Sequence, residues 1–222
     1  MVARMIDYDQ RTRFLAAALS TLAGFVDALG FLQLGGFFVS FMSGNSTRLG
    51  VGLAGAPSSA IVAGGLIITF VLGVMTGSWL GLASGPRRRP AVLALVSGLL
   101  MCGAALASFD AAWPAAFVMA LAMGAENAVF EREGEVDIGL TYMTGALVKL
   151  GQRLVMALRG GPAWRWATSL MLWSGLVAGA LLGALAHEQL GLRALWLAAF
   201  AAAALTVTAA RLDARRGAAA RS

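Results

Sequence analysis

Long apolar stretches separated by short polar breaks run through the whole chain. Six stretches of roughly 20 residues, the length that crosses a bilayer as a helix, fall at about 14–35, 60–83, 90–109, 113–130, 167–186 and 193–211. Between the first and second lies Met42-Ser43-Gly44-Asn45-Ser46-Thr47-Arg48-Leu49-Gly50, a polar turn with apolar residues on both sides. Its pattern returns as Met143-Thr144-Gly145-Ala146-Leu147-Val148-Lys149-Leu150-Gly151. Met, Gly, Leu and Gly coincide at an offset of 101. Ser43 becomes Thr144 and Arg48 becomes Lys149, which keeps the hydroxyl and the positive charge.

Two further matches keep the same order. Upstream, Gly24-Phe25-Val26-Asp27-Ala28 aligns with Gly124-Ala125-Glu126-Asn127-Ala128 at an offset of 100. Downstream, Gly73, Gly77 and Gly81 align with Gly175, Gly179 and Gly183 at an offset of 102. The sequence therefore reads as an internal duplication, with three spans in residues 1–110 and three in 111–222. An odd number of spans per copy starts the second copy on the opposite side of the membrane. The expected fold is an all-α integral membrane protein, a single domain of six transmembrane helices arranged as two inverted three-helix repeats. Were 36–52 a full span, Arg87, Arg88 and Arg89 would move outside, so the segment is expected to be re-entrant, half-helical or a short interfacial helix. A matching element is expected after span four. Interrupted elements at corresponding positions of two inverted halves mark the solute site in several transporter folds. Small residues at spacing four let helices approach closely, and the two glycine rows are expected to pack, against each other across the pseudo-twofold axis.

Composition agrees with this frame. The chain of 222 residues is 59% hydrophobic and only 13% charged, where soluble domains carry about a quarter charged residues. No soluble catalytic domain is left over. A net charge of +6 would suggest nucleic acid in a soluble protein; here it reads as arginines gathered in cytoplasmic loops. Arg4, Arg11 and Arg13 precede span one. Arg87–Arg89 join spans two and three. Arg132, Lys149, Arg153, Arg159 and Arg165 lie between spans four and five, and Arg211, Arg215, Arg216 and Arg221 come after span six. The alternate links carry few cations, so both termini are expected in the cytoplasm. Trp79, Trp113, Trp164, Trp166 and Trp196 fall near the expected interfaces. The first stretch is long and carries Asp27, so it does not read as a cleaved signal peptide.

The motifs support a family resemblance. Gly24-Phe25-Val26-Asp27-Ala28, Phe38-Val39-Ser40-Phe41-Met42-Ser43-Gly44-Asn45, Met123-Gly124-Ala125-Glu126-Asn127-Ala128 and Tyr142-Met143-Thr144-Gly145 make the chain similar to the YoaK-like family of bacterial inner-membrane proteins, whose function is unknown. That family commonly has threonine at the place of Ser43 and glutamine at that of Glu126. The resemblance implies six spans and no particular substrate.

Chemistry is confined to a few side chains. Asp27 lies near the middle of span one, where a carboxylate costs about 2.5–3.5 kcal/mol on insertion scales and usually faces a bundle interior or a water cavity. It can carry a coupling proton or meet a solute; equally, it can bond helix backbone or Asn127 and lock the halves together. Glu126 can line a site or snorkel towards Glu131, Glu133, Glu135 and Asp137, and Asn127 is a polar partner matching Asp27. Ser43, Gly44, Asn45 and Ser46 can open a short helix whose free N–H groups attract anions, with Arg48 adding charge; Thr144, Gly145 and Lys149 repeat the plan. The plainer reading of both is capping and close packing.

His187 and Cys102 are single, so no zinc or iron site and no intramolecular disulfide is expected, and no cofactor is implied. H-E-x-x-H, G-x-S-x-G, Walker A and dinucleotide fingerprints are absent from the sequence, and an enzyme is not expected. The leading expectation is a small secondary transporter or facilitator for a small polar or anionic solute, with proton linkage as one form of it. A channel-like pore and an accessory membrane protein that moves nothing are the alternatives. Beyond the lipid bilayer and the solute, the expected partner is a second copy, because three spans per half make a slim wall; nucleic acid is not one.

Overall fold

The computed structural model describes residues 10–132, 135–136, 140–162 and 166–219. Arg4, Arg165, Arg221, Trp164, Glu133 and Asp137, all used above, lie outside them. Among the described residues eight α-helices come in order: α1 (Gln10–Gln33), α2 (Met42–Gly55), α3 (Pro57–Ser84), α4 (Arg88–Ser108), α5 (Ala112–Glu126), α6 (Met143–Leu158), α7 (Ala167–Leu190) and α8 (Leu195–Ala219). A two-residue hairpin pairs Glu131 with Val136 and Arg132 with Glu135 after α5.

Apolar helical stretches long enough to cross a membrane run over Thr12–Gln33, Pro57–Ser108, Ala112–Phe130 and Ala167–Ala214. The second has 52 residues and the fourth 48, each over twice the roughly 20 that a bilayer needs. Both are broken in the middle, at Gly85 and Gly191, whose φ values of 51° and 57° belong to the left-handed region that glycine enters without steric cost. The chain folds back at the first break, so that α3 and α4 pack side by side, while α4 lies against α8. Six helices, α1, α3, α4, α5, α7 and α8, thus take the places of the six apolar stretches read from the sequence, and the architecture is that of a helical membrane protein.

Packing follows small residues. In lipid, helices gain little from burying apolar surface against each other, and close backbone approach becomes the main source of attraction. α1 packs most extensively on α7, and α5 on α3. At the first crossing a Cβ on Gly24 would strike the Leu176 carbonyl, and one on Gly179 the Thr21 carbonyl. At the second, a Cβ on Gly124 would strike the Phe70 carbonyl, and one on Gly73 the Leu121 carbonyl. The two glycine rows therefore do not pack against each other, contrary to expectation. Each faces the helix that carries the other half's matched glycine, because Gly24 and Gly124 bare the backbone there and let the partner helix come close. α3 separates packing from lipid contact along its own surface: Gly73, Gly77 and Gly81 are buried, while Ile61, Ile68, Leu72, Met75, Trp79 and Leu82 are exposed as a lipid-facing stripe at helical spacing.

α2 and α6 are the shorter elements at the polar breaks. After α1 the chain doubles back beside it: Val39 lies so near Gly30 that a Cβ there would meet its Cγ1 at 2.7 Å. α2 then returns towards the end of α1, with its Arg48 guanidinium beside Gly36, and turns at Ala56 into α3. With 14 and 16 residues, α2 and α6 are too short to cross the hydrocarbon core at 1.5 Å per residue.

Candidate functional site

Two chemical solutions hold the two breaks. In the first half, Asp27 Oδ1 accepts the backbone N–H of Val39 and of Ser40, each at 2.8 Å. Asn45, fully buried, then clamps the same link from α2: its Oδ1 accepts the Phe38 N–H at 3.0 Å and its Nδ2 donates to the Phe38 carbonyl at 2.6 Å. Buried backbone polar groups must find partners, and these two side chains supply them for this link. In the second half, Asn127 Nδ2 donates to the Met123 carbonyl at 2.9 Å, and its Oδ1 accepts the Thr141 hydroxyl at 3.2 Å. Asp27 and Asn127 occupy matched sequence positions, as do Ser40 and Thr141.

Two adjoining cavities open at this place. One, of about 440 Å³, lies between α1, α7 and the first link; Asp27, Ser40 and Thr141 are its polar lining, and Phe31, Phe38 and Phe41 wall it with rings. The other, of about 410 Å³, lies between the starts of α2 and α6, with Ser43, Thr144 and Gly145 at its edge and Phe70 of α3 behind. Ser40, Phe41, Thr141 and Met143 line both. Asp27 is half-buried, facing the first cavity.

The structure therefore brings together Asp27, Ser43, Thr144 and Gly145 and leaves the other seven singled-out residues off the cavity walls. Asn45 is a clamp. Gly44 gives room to Phe38 and Phe41, whose ring atoms a Cβ would meet at 2.7–2.9 Å. Ser46 turns its hydroxyl back to the Met42 carbonyl at 2.8 Å. Arg48 lies over the Phe37 ring, 4.7 Å from its centroid, and Lys149 lies further along α6. Neither helix start has a side-chain cap among the described residues: α2 begins at Met42, so Ser43 and Asn45 fall inside the first turn rather than before it. The expected capping role is thus not seen, and the cradle of N–H groups plus arginine is not assembled.

Asn127 bonds Thr141 rather than lining the space. Glu126 is wholly buried, and neither carboxylate oxygen has a hydrogen-bond partner among the described residues. Of the acidic residues after α5, Glu131 pairs with Arg88 instead, whose Nη1 lies 3.4 Å from Oε1 and donates to the Glu131 carbonyl at 2.8 Å; Glu133 and Asp137 lie outside the described residues. Sequence reasoning missed Ser40, Thr141 and the three phenylalanines as site residues. The two hydroxyls had a signal: each stands three residues before the matched Ser43 or Thr144.

Comparison with known proteins decides the family. A model for a family described as protein of unknown function, DUF1275, matches residues 15–208. The chain belongs to the DUF1275 family. It is 40% identical over 203 residues to UPF0700 transmembrane protein RA0705 of Rhizobium meliloti (strain 1021), covering 90% of this chain and 87% of that one. DUF1275 also accounts for the motif resemblance noted above. No solved structure matches.

Proposed function

We propose that this DUF1275 protein is a small secondary carrier or facilitator of the bacterial inner membrane, built from two inverted three-helix halves with both termini in the cytoplasm. The observation that carries the reading is the exchange of partners between halves. The first helix of each half crosses the second helix of the other, α1 on α7 and α5 on α3, at equivalent glycines, and the third helices α4 and α8 meet each other. A pseudo-twofold axis in the membrane plane would produce this pairing. It matches Gly73 with Gly179 and Gly77 with Gly183, one helical turn away from the sequence alignment. α2 and α6 are then the paired interrupted elements, re-entrant at the midplane, and the second cavity lies between their starts.

The halves are not in the same state. Asp27 is open to a cavity on the α1–α7 side, whereas Asn127, at the matched position on the α5–α3 side, and its neighbour Glu126 are buried. An alternating carrier seen with one side open would look like this, and in the mirror state the α5–α3 crevice would open. Asp27 exchanges its proton or meets the solute from the open side.

Cysteine labelling tests the reading. Ala180 and Val74 are mirror mates, each with its backbone nitrogen against Gly24 or Gly124. With Cys102 replaced, Ala180→Cys and Val74→Cys in proteoliposomes should react with a membrane-impermeant maleimide from opposite faces. Conditions that expose one should protect the other. Labelling of both from one face would end the inverted model; simultaneous full access would favour a pore; fixed access at both would favour an accessory protein.

A further inference from the structure

The cavity beside Asp27 is not built for the anion that the polar turns suggested. Among the described residues, Asp27 is the one ionisable side chain on its wall. Arg48 lies over Phe37 and is not part of the wall. Facing the same space are three phenylalanine rings in sequence: Phe31 and Phe38 have centroids 5.0 Å apart, and Phe38 meets Phe41 edge-on at 5.1 Å. Gly24, Ala28, Ala180 and Ala184 leave room opposite the rings. A carboxyl among aromatic faces and small residues attracts a cation with an apolar body, through charge and through the negative faces of the rings. It repels an anion, for which the wall's described residues hold no compensating charge.

We infer that this cavity takes a small organic cation, whose alkyl groups lie on Phe31, Phe38 and Phe41 and whose charge faces Asp27. The inference names the solute class of the proposed carrier and rests on that reading only for transport. Binding itself needs the cavity alone.

The test uses the purified full chain in detergent, with tetraethylammonium, hexanoate and an uncharged alcohol of similar size as probes. A ligand that binds the native state raises the melting temperature in proportion to RT ln(1 + [L]/Kd). Tetraethylammonium should raise it, and the other two should not. Phe31→Leu should weaken the affinity several-fold, and Asp27→Asn by about tenfold or more. Because Asp27 also holds the Val39–Ser40 link, Asp27→Asn can fail to fold, and Ala184→Lys serves as the second variant. Its tethered ammonium supplies the counter-charge in place, so it should fold normally and lose the tetraethylammonium response. Hexanoate binding as well as tetraethylammonium, an undiminished tetraethylammonium response in Ala184→Lys, or no response to tetraethylammonium in wild type would each overturn the inference. Cation binding together with fixed labelling at 74 and 180 would instead overturn the carrier and leave this site standing.

Discussion

The two interrupted elements use matched positions but different chemistry. The link before α2 is held by a carboxylate taking two backbone N–H groups and by a buried asparagine gripping both sides of Phe38. Among the described residues, the matched position in the second half meets the segment before α6 through a neutral bond between Asn127 and Thr141. Hydrogen bonds to charged groups are worth about 1.5–3 kcal/mol, against about 1 for neutral ones. From the matched positions, Asp27 therefore holds Val39 and Ser40 more strongly than Asn127 holds Thr141.

The strongest test of the shared geometry is at the crossings. Gly24→Val and Gly124→Val each drive side-chain atoms into a carbonyl of the partner helix. Both should cost ~3 kcal/mol or more, seen as loss of folded, monodisperse protein after detergent extraction. Similar losses at both sites would show that the halves depend equally on these contacts. Gly98→Ala, with open space around the glycine, is the control and should leave the melting temperature nearly unchanged.

The tips should then separate. Asp27→Ala strands the Val39 and Ser40 N–H groups away from water and should cost ~3 kcal/mol. Asn127→Ala removes a neutral interhelical bond and should cost ~1 kcal/mol or less, as such bonds do in membrane proteins. Thermal melting of the two variants side by side measures the gap, and equal losses would remove the distinction between the two positions. Cation binding adds a pH arm. A proton and a cation compete for the same carboxylate, and the described residues of the cavity wall include no other ionisable group. Tetraethylammonium affinity should therefore fall as pH is lowered, and titration calorimetry at several pH values would show it. Affinity that does not change with pH would mean that Asp27 is not the cation's partner.

Much of this was legible from residues. The six apolar stretches became six helices because membrane length and hydropathy leave the chain little choice, and Asp27 stood out because a carboxyl at that depth needs a partner. The alignment of the glycine rows was one turn off, because the repeats differ in the length of their links and glycine recurs every turn. The polar turns misled in a different way. Serine, asparagine and arginine in a row read as a helix start facing a solute, but α2 begins one residue before Ser43, and Asn45 and Arg48 turn back onto Phe38 and Phe37. The phenylalanines carried no signal, since an aromatic residue in a membrane chain is ordinary until its neighbours across the fold are known.

Glu126 gives the most delicate comparison. Its partner by position in the first half is Val26, also fully buried, so an apolar residue suits that place in the fold. A buried carboxyl with no donor costs stability whether it is charged or neutral. If nothing but folding mattered, valine or methionine would serve better, and Glu126→Met should raise stability by ~1 kcal/mol, read as a higher melting temperature in detergent. A rise together with lost exchange of access between positions 74 and 180 would mean that the second half keeps its acid for the state in which its own crevice opens. A rise with access intact would make Glu126 a tolerated burden and leave Asp27 as the acid that matters. A fall in stability would mean that Glu126 has a partner in the native membrane.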